Sequence, residues 1–476
     1  MKKSLFAILA LSLLVRLISL NQSLWFDESG TVTAVRQTAL VPLINVYSIG
    51  DFHPPGYFVM LWGWVRIFGS SEVASRLPSV IFGVLTVFLT YLIAKKLFSE
   101  KTGLLASFLL ALAPLHIYYS QEARMYSFAA FAVALSFYAL LKLLKMEKFS
   151  LLLYAFSVFL ILYSDYVAYF AIFAQLIFVV VLKRSQLKNY LSSLVLGSFT
   201  IIPWLFIFPS QLEIGRKTAG SLTGWRDVVG SASLSELTTL VAKVVVGRIS
   251  FDNKLFYAGL VFLAIAVCLV ALVPVVRKMG DQVKLLLIWV GVPVVVGLIV
   301  SLFIPIFSYF RFIFILPPFY ILLGAAFDKV DFNLRQKWLS LGLVVVVLIE
   351  IFCSAQYLFV PANQREDWKG AVSYVDSIDD AKTLVLFKDV KVSSSYAYYT
   401  KKGENAYPAF LNIPAEKQDD LEGYTWDKES KVVVFDYLTD ITDPEKILEN
   451  KITDEGYTLA TIKNFHGVGF VRVYQR

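Results

Sequence analysis

Cysteine is nearly absent from this chain. It holds two, Cys268 and Cys353, each inside an apolar run, which excludes a disulfide framework and a cysteine metal site of recognisable spacing. Histidine is almost as scarce, with three residues. No internal repeat, low-complexity tract or glycine-rich phosphate loop is present, and Gly467-Val468-Gly469 reads as a hairpin feature rather than a nucleotide motif. Met1 to Leu20 begins with Lys2-Lys3 and an apolar stretch like a secretory leader, but no small-x-small cleavage site follows before Trp25, so the segment is expected to be a retained first span. A net charge of +8 comes without any nucleic-acid motif. The basic residues fall in short clusters between apolar runs, where they act as topology determinants.

What is present is apolar. Hydrophobic residues make up 57% of the 476 and aromatics 15%, with mean hydropathy +0.66, far above a soluble domain. The chain reads as an α-helical polytopic membrane protein. Spans of sufficient apolar length fall near 4–20, 77–94, 103–119, 125–141, 150–164, 166–182, 190–208, 255–276, 285–304, 310–327 and 338–358, about eleven. Alternate loops carry the lysines and arginines, from Lys2-Lys3 through Lys95-Lys96 and Lys183-Arg184 to Arg335 and Lys337, and these loops are expected on the cytoplasmic side. The alternation holds if Pro55 to Phe68 lies in the interface instead of crossing. The loop over 21–76, the 209–254 segment and the C-terminus then face outward. From Pro361 the composition turns mixed and charged, and AKTLVLF, KVVVFDY and YTLATIKNFHGVGFVRVY read as strands. Two domains follow: a transmembrane domain over 1–361 and an extracytoplasmic α/β domain over 362–476.

Chemistry concentrates in the outer loops. Trp25 to Tyr57 carries Asp27-Glu28 at one end and His53-Pro54-Pro55 at the other. Adjacent acids in a helix diverge by about 100°, so one of the pair can face a given site. A helix cap accounts for Asp27 equally well, and a rigid turn accounts for the prolines, though not for His53. Arg76, Arg124 and Arg311 lie at outer ends of spans, where statistics disfavour arginine. One such arginine would be a snorkelling side chain; three on the face of Asp27 point to an anionic ligand, since guanidinium forks match phosphate oxygens. Glu122 stands two residues before Arg124 and is either a second site carboxylate or its local ion-pair partner. Arg16 and Glu350 are intramembrane charges without an evident partner.

Several ordered motifs carry a family likeness: WFDE in the first outer loop, HPPGY before the interfacial helix, SRLPSVIFGVLTVFLTYLIAKKLF, LAPLHIYYSQEARMYS, SYFRFIFILPPF, and REDWKGAVSYV after the last span. Together they resemble the GT-C membrane glycosyltransferases, specifically the family 39 group of protein O-mannosyltransferases and lipid A aminoarabinose transferases. The resemblance implies a GT-C fold in a prokaryotic cell membrane. It further implies inverting transfer of a sugar from a polyprenyl-phosphate donor to an acceptor hydroxyl on the extracytoplasmic face, the acceptor being a lipid, glycan or protein among the membrane lipids. On the family's pattern Asp27 is the base, with Glu28 at its side. Arg76, Arg124, Arg311 and His53 are the donor-phosphate ligands, while Glu122, Tyr126 and Tyr309 support the site. No metal is assigned, although Asp27, Glu122 and His53 are a conceivable set for a divalent cation. The C-terminal segment departs from the β-trefoil layout of eukaryotic O-mannosyltransferases, which puts a protein acceptor in doubt. A multispan transporter or glycolipid flippase is the rival class; such proteins show repeated halves and broken midplane helices, whereas here the polar residues gather in outer loops.

Overall fold

The computed structural model describes residues 2–221, 230–328, 337–378, 383–388, 393–402, 406–410, 421 and 430–476. All eleven apolar stretches fold largely as helix, because lipid leaves the backbone no other partner for its polar groups. Among the described residues, however, six helices are long and apolar enough to cross a membrane: 72–97, 126–143, 254–276, 281–301, 309–327 and 338–359. Two bent pairs raise the number to eight. The expected count of about eleven spans is therefore not confirmed by helix length. Lys2–Leu17 has 16 residues and Ser150–Leu162 has 13, and at about 1.5 Å per residue they fall short of a core about 30 Å thick. The 166–208 region forms a pair bent by 118°. Gly56–Phe68, expected to lie in the interface, is a helix of 13 residues.

The other bend has a physical cause that matters for function. Glu100–Leu112 and Pro114–Ser120 meet at 64° across Ala113, where proline removes a backbone donor. The carbonyls this frees are met by side chains. Arg16 donates to the Ala111 oxygen at 3.1 Å, and Ser354 from the last span donates to that of Leu112 at 2.8 Å. Arg16 also reaches Ser120 Oγ at 3.1 Å and His116 Nδ1 at 2.6 Å, so this intramembrane cation serves the break. Across from it a Cβ on Gly83 would sit 2.2 Å from Ser120 Oγ, which lets the second span approach the bent segment closely. The turn that follows, 121–125, is thereby delivered to the first loop, where the Ala123 N–H meets Glu28.

The C-terminal part is a five-stranded sheet: β1 Thr383–Phe387, β2 Ala406–Pro408, β3 Lys431–Phe435, β4 Thr458–Phe465 and β5 Gly469–Gln475, in the order β2-β1-β3-β5-β4. The first three pair in parallel; β5 runs antiparallel to β3 and to β4. The strands expected from sequence are β1, β3, β4 and β5, and Gly467 and Gly469 make the hairpin turn at φ +71° and +87°. Val385, Phe387, Val433 and Phe435 pack on Trp368 on one face, while Leu384, Leu386, Val432 and Val434 meet Leu448 and Ile452 on the other.

Basic-loop alternation predicts opposite sides of the membrane for Asn45 and Met146, both of which are exposed. Maleimide labelling of Asn45→Cys from outside and of Met146→Cys from inside is the expected result, with little background from the buried Cys268 and Cys353. Labelling of both from one side would overturn the topology.

Candidate active site

The helix Phe26–Gln37 starts directly after Trp25, so Asp27 and Glu28 occupy its first turn and point apart. Glu28 turns inward and is fully buried, whereas Asp27 is half-buried. Glu28 receives a two-pronged contact from Arg76, at 2.8 Å from Nε and 2.6 Å from Nη2, and the Ala123 N–H at 2.7 Å. Arg76 directs its remaining donors to the carbonyls of Leu20 at 2.9 Å, Gln22 at 2.7 Å and Ser23 at 2.9 Å. All five guanidinium N–H groups are thus engaged by the protein itself. Arg365, just past the last span, extends this lattice: its Nη1 donates to Glu122 Oε2 at 2.8 Å, and its Nε lies 3.7 Å from Glu28. Burial works against ionisation of Glu28, but Arg76 and Arg365 outweigh it and hold the carboxyl below the usual range. For Glu122 burial prevails over Arg365, and the nearby Glu28 adds to it, so that carboxyl is pushed up.

A second constellation lies beside Asp27. Arg124 forks Asp51 at 2.7 and 2.9 Å and donates to Thr31 Oγ1 at 2.8 Å. His53 Nδ1 stands 2.7 Å from Asp51 Oδ1, and its Nε2 is 3.7 Å from Asp165. Burial would raise Asp51, yet Arg124 and His53 keep it well below the usual carboxylate range. Asp27 is within electrostatic reach of Arg124, Tyr47, Tyr126 and Tyr437. Arg311 acts on Tyr126 as well; its guanidinium lies over the Phe310 ring at 5.9 Å, and its buried Nε has no hydrogen-bond partner.

Between the membrane helices and the C-terminal sheet lies a cavity of about 370 Å³, walled by Trp25, Tyr118, Lys243, Arg248, Tyr309 and His466 among others. Arg248 donates to the Tyr118 hydroxyl at 2.7 Å. Burial, with Arg248 adjacent, pushes Lys243 down to about 8.

The structure therefore brings Asp27, Arg124, Tyr126 and Arg311 together, with His53 joined through Asp51. Tyr309 stands on the cavity wall. Glu28, Arg76 and Glu122 lie in the buried lattice instead of facing outward, and the expectation that Arg76 is open to a phosphate is set aside because its donors are engaged. Among the described residues no group of three or more His, Cys, Asp or Glu side chains is placed to hold a metal ion, so Asp27, Glu122 and His53 do not form the conceivable set. Sequence reasoning did not single out Asp51, Asp165, Lys243, Arg248 and Arg365, which the structure places in these two constellations and on the cavity wall. Asp51 and Arg365 belong to motifs already singled out; Lys243 and Arg248 sit in a segment with no distinguishing pattern.

Residues 52–207 match the family described as dolichyl-phosphate-mannose-protein mannosyltransferase. Among solved structures, ArnT from Cupriavidus metallidurans in its apo state superposes with a TM-score of 0.60 at 10% identity, over 98% of this chain and 97% of that one. The oligosaccharyltransferase of Archaeoglobus fulgidus gives 0.55 at 13% identity, over 90% of this chain and 68% of its own. The chain has the GT-C fold of membrane glycosyltransferases. No curated protein sequence matches it. In this GT-C chain the family match takes in His53, Arg76, Glu122, Arg124 and Tyr126, while Asp27, Glu28, Tyr309 and Arg311 lie outside it.

Removing one partner of the buried fork strands the other charge. Glu28→Ala or Arg76→Ala is expected to destabilise the GT-C domain by about 3–5 kcal/mol, read as a lowered thermal unfolding midpoint in detergent, whereas Asp27→Asn shifts it little. Parental stability in Arg76→Ala would show that the fork does not hold the loop.

Proposed function

We propose that this protein transfers a sugar from a polyprenyl-phosphate donor to an acceptor hydroxyl on the extracytoplasmic face, with inversion at the anomeric carbon. The observation that carries the reading is the division of the acidic pair: Glu28 is fully engaged in the buried lattice, while Asp27 is half-buried within electrostatic reach of Arg124 and of Tyr126, on which Arg311 also acts. An inverting displacement needs one carboxylate as base, on the face opposite the leaving group. Asp27 takes the acceptor's O–H proton as that oxygen bonds to the anomeric carbon. The bond from that carbon to the phosphate oxygen breaks, its electron pair leaving with the phosphate, which needs no general acid.

The donor class is supported by ArnT, whose structure bound to undecaprenyl phosphate superposes at a TM-score of 0.58 and 11% identity, and the outer face is supported by the alternation of basic loops. The phosphate is assigned to cations that no carboxylate neutralises at close range. Arg311 is the first, and Arg248 and Lys243 on the cavity wall are the next. Arg124, neutralised by Asp51, holds the Asp27 helix through Thr31. His53, held by Asp51, keeps that partner ionised. The acceptor enters from the aqueous side as a lipid or glycan hydroxyl.

Asp27→Asn is expected to lower sugar transfer by about 10²–10⁴-fold while undecaprenyl phosphate still binds; near-parental turnover would remove Asp27 as base. Arg311→Ala is expected to weaken undecaprenyl phosphate binding by about 10–100-fold, and unchanged affinity would displace the phosphate from this position. Lys243 is charged below its value of about 8 and neutral above it. Binding of the carrier phosphate should therefore weaken as pH rises from about 7 to 9, and Lys243→Met should flatten that limb; a limb of the same slope in the variant would exclude Lys243.

A further inference from the structure

Glu366 lies in the link between the last span and the C-terminal sheet, and donors converge on it from separate parts of the fold. Its Oε2 accepts the Phe26 backbone N–H at 3.0 Å and the Trp368 indole N–H at 2.8 Å; its Oε1 accepts the Tyr437 hydroxyl at 3.0 Å. Phe26 is the first residue of the helix whose second residue is Asp27, and the preceding Trp25 makes no side-chain cap bond. Glu28 Oε2 accepts the Trp25 N–H at 3.4 Å, and the next donor, the Phe26 N–H, is met from 340 residues away.

Apolar contacts follow the same line. The Phe26 and Tyr437 rings lie 5.3 Å apart, and those of Tyr437 and Trp368 5.1 Å. From the other side the β4–β5 hairpin presses on the carboxylate's own stem: a Cβ on Gly467 would sit 2.7 Å from Glu366 Cγ, and the Asp367 N–H donates to the His466 carbonyl at 2.8 Å. Further contacts bind the first loop to the C-terminal part, with Ser29 and Ser395 hydroxyls 2.6 Å apart and the Leu24 N–H donating to the Tyr399 hydroxyl at 2.7 Å.

We propose that Glu366 is a positioning residue for Asp27, through which the C-terminal domain sets the direction of the helix that carries the base. The proposal rests on the reading of Asp27 as base. A displacement of about 1 Å at a reacting group is enough to cost about 10²-fold in rate, and a helix start without its cap frays in its first turn, where Asp27 stands. Burial pushes the Glu366 carboxyl up, with Trp368, Phe26 and Tyr437 opposing through their hydrogen bonds to it.

The geometry also says which replacement preserves the function. In Glu366→Gln the amide oxygen can take the place of Oε2 and keep Phe26 and Trp368, while the amide N–H₂ donates to the Tyr437 oxygen, a hydroxyl being able to accept as well as donate. In Glu366→Ala the three donors lose their acceptor.

The test uses the full chain in detergent, with a panel of undecaprenyl-phosphate sugars as donors, a membrane lipid extract as acceptor, and backbone hydrogen exchange of the peptide containing Phe26 as a readout independent of turnover. Glu366→Ala is expected to lower kcat by about 30–100-fold, with undecaprenyl phosphate affinity kept within about threefold and exchange in the first turn of the helix raised by at least about tenfold. Glu366→Gln should return both turnover and exchange to within about threefold of the parent. Tyr437→Phe, which removes a single donor, should give intermediate values of both. Parental exchange and turnover in Glu366→Ala, or in Tyr437→Phe should the alanine variant fail to fold, overturn the proposal. So does a glutamine variant as inactive as the alanine one with parental exchange, which would assign the carboxylate's charge to the chemistry itself. Raised exchange with parental turnover also overturns it, leaving Glu366 as a cap alone. Asp27→Asn run alongside separates the two readings: if it turns over normally the base assignment fails, while the exchange data still report on the cap.

Discussion

Four charged side chains shut away from water hold the first loop, the 118–124 turn and the link to the C-terminal sheet in register. Glu28 and Arg76 meet in a fork, and Arg365 bridges Glu28 to Glu122. Taking such groups out of water costs several kcal/mol each, which mutual attraction recovers when the geometry is good and the remaining donors are met. Here carbonyls of the first loop take the donors of Arg76 and those of the bent 114–121 segment take Arg365 Nη2, while Arg365 Nε has only the Glu28 carboxylate at 3.7 Å. Segments far apart in sequence are thereby fixed to one another at a depth where lipid contacts alone would not set their register. A hydrophobic cluster of the same volume would pack, but it would not specify which carbonyl faces which helix.

The lattice depends in turn on a break in a helix. The stretch over 100–120 could have run straight through the membrane; Pro114 bends it, and Arg16 and Ser354 take the carbonyls the bend exposes. The turn carrying Glu122, Ala123 and Arg124 then reaches the first loop. Ala123 supplies a backbone N–H to Glu28, and Arg124 reaches across to Asp51 and Thr31. An intramembrane arginine that looked isolated in sequence is thus a condition of the site's geometry.

The C-terminal sheet is part of the same arrangement. Its hairpin supplies His466 and Gly467 to the cavity wall, and its link segment supplies Arg365 to the lattice and Glu366 to the start of the Asp27 helix. Asp27 is consequently framed by two bodies of different construction: helices set by lipid and a sheet set by an aqueous-type core. A group held from both sides loses less orientation than one on a free loop.

The sequence by itself determined the apolar helices, four of the five strands of the C-terminal sheet and the divergence of Asp27 from Glu28, because each follows from local periodicity or from the solvent around it. It also marked WFDE, HPPGY and REDW as the stretches to watch. Tertiary structure decided which helices reach span length, since the break at Pro114 and the 118° bend shorten what hydropathy reads as continuous. It decided that Glu28 is the buried member of the pair and Asp27 the accessible one, because helix phase is relative until a partner such as Arg76 fixes it. And it sorted the arginines: Arg76 and Arg124 are neutralised by acids that lie 48 and 73 residues away, while Arg311 and Arg248 meet aromatic rings. Charge is legible in one dimension, but compensation of charge is a matter of distance in three.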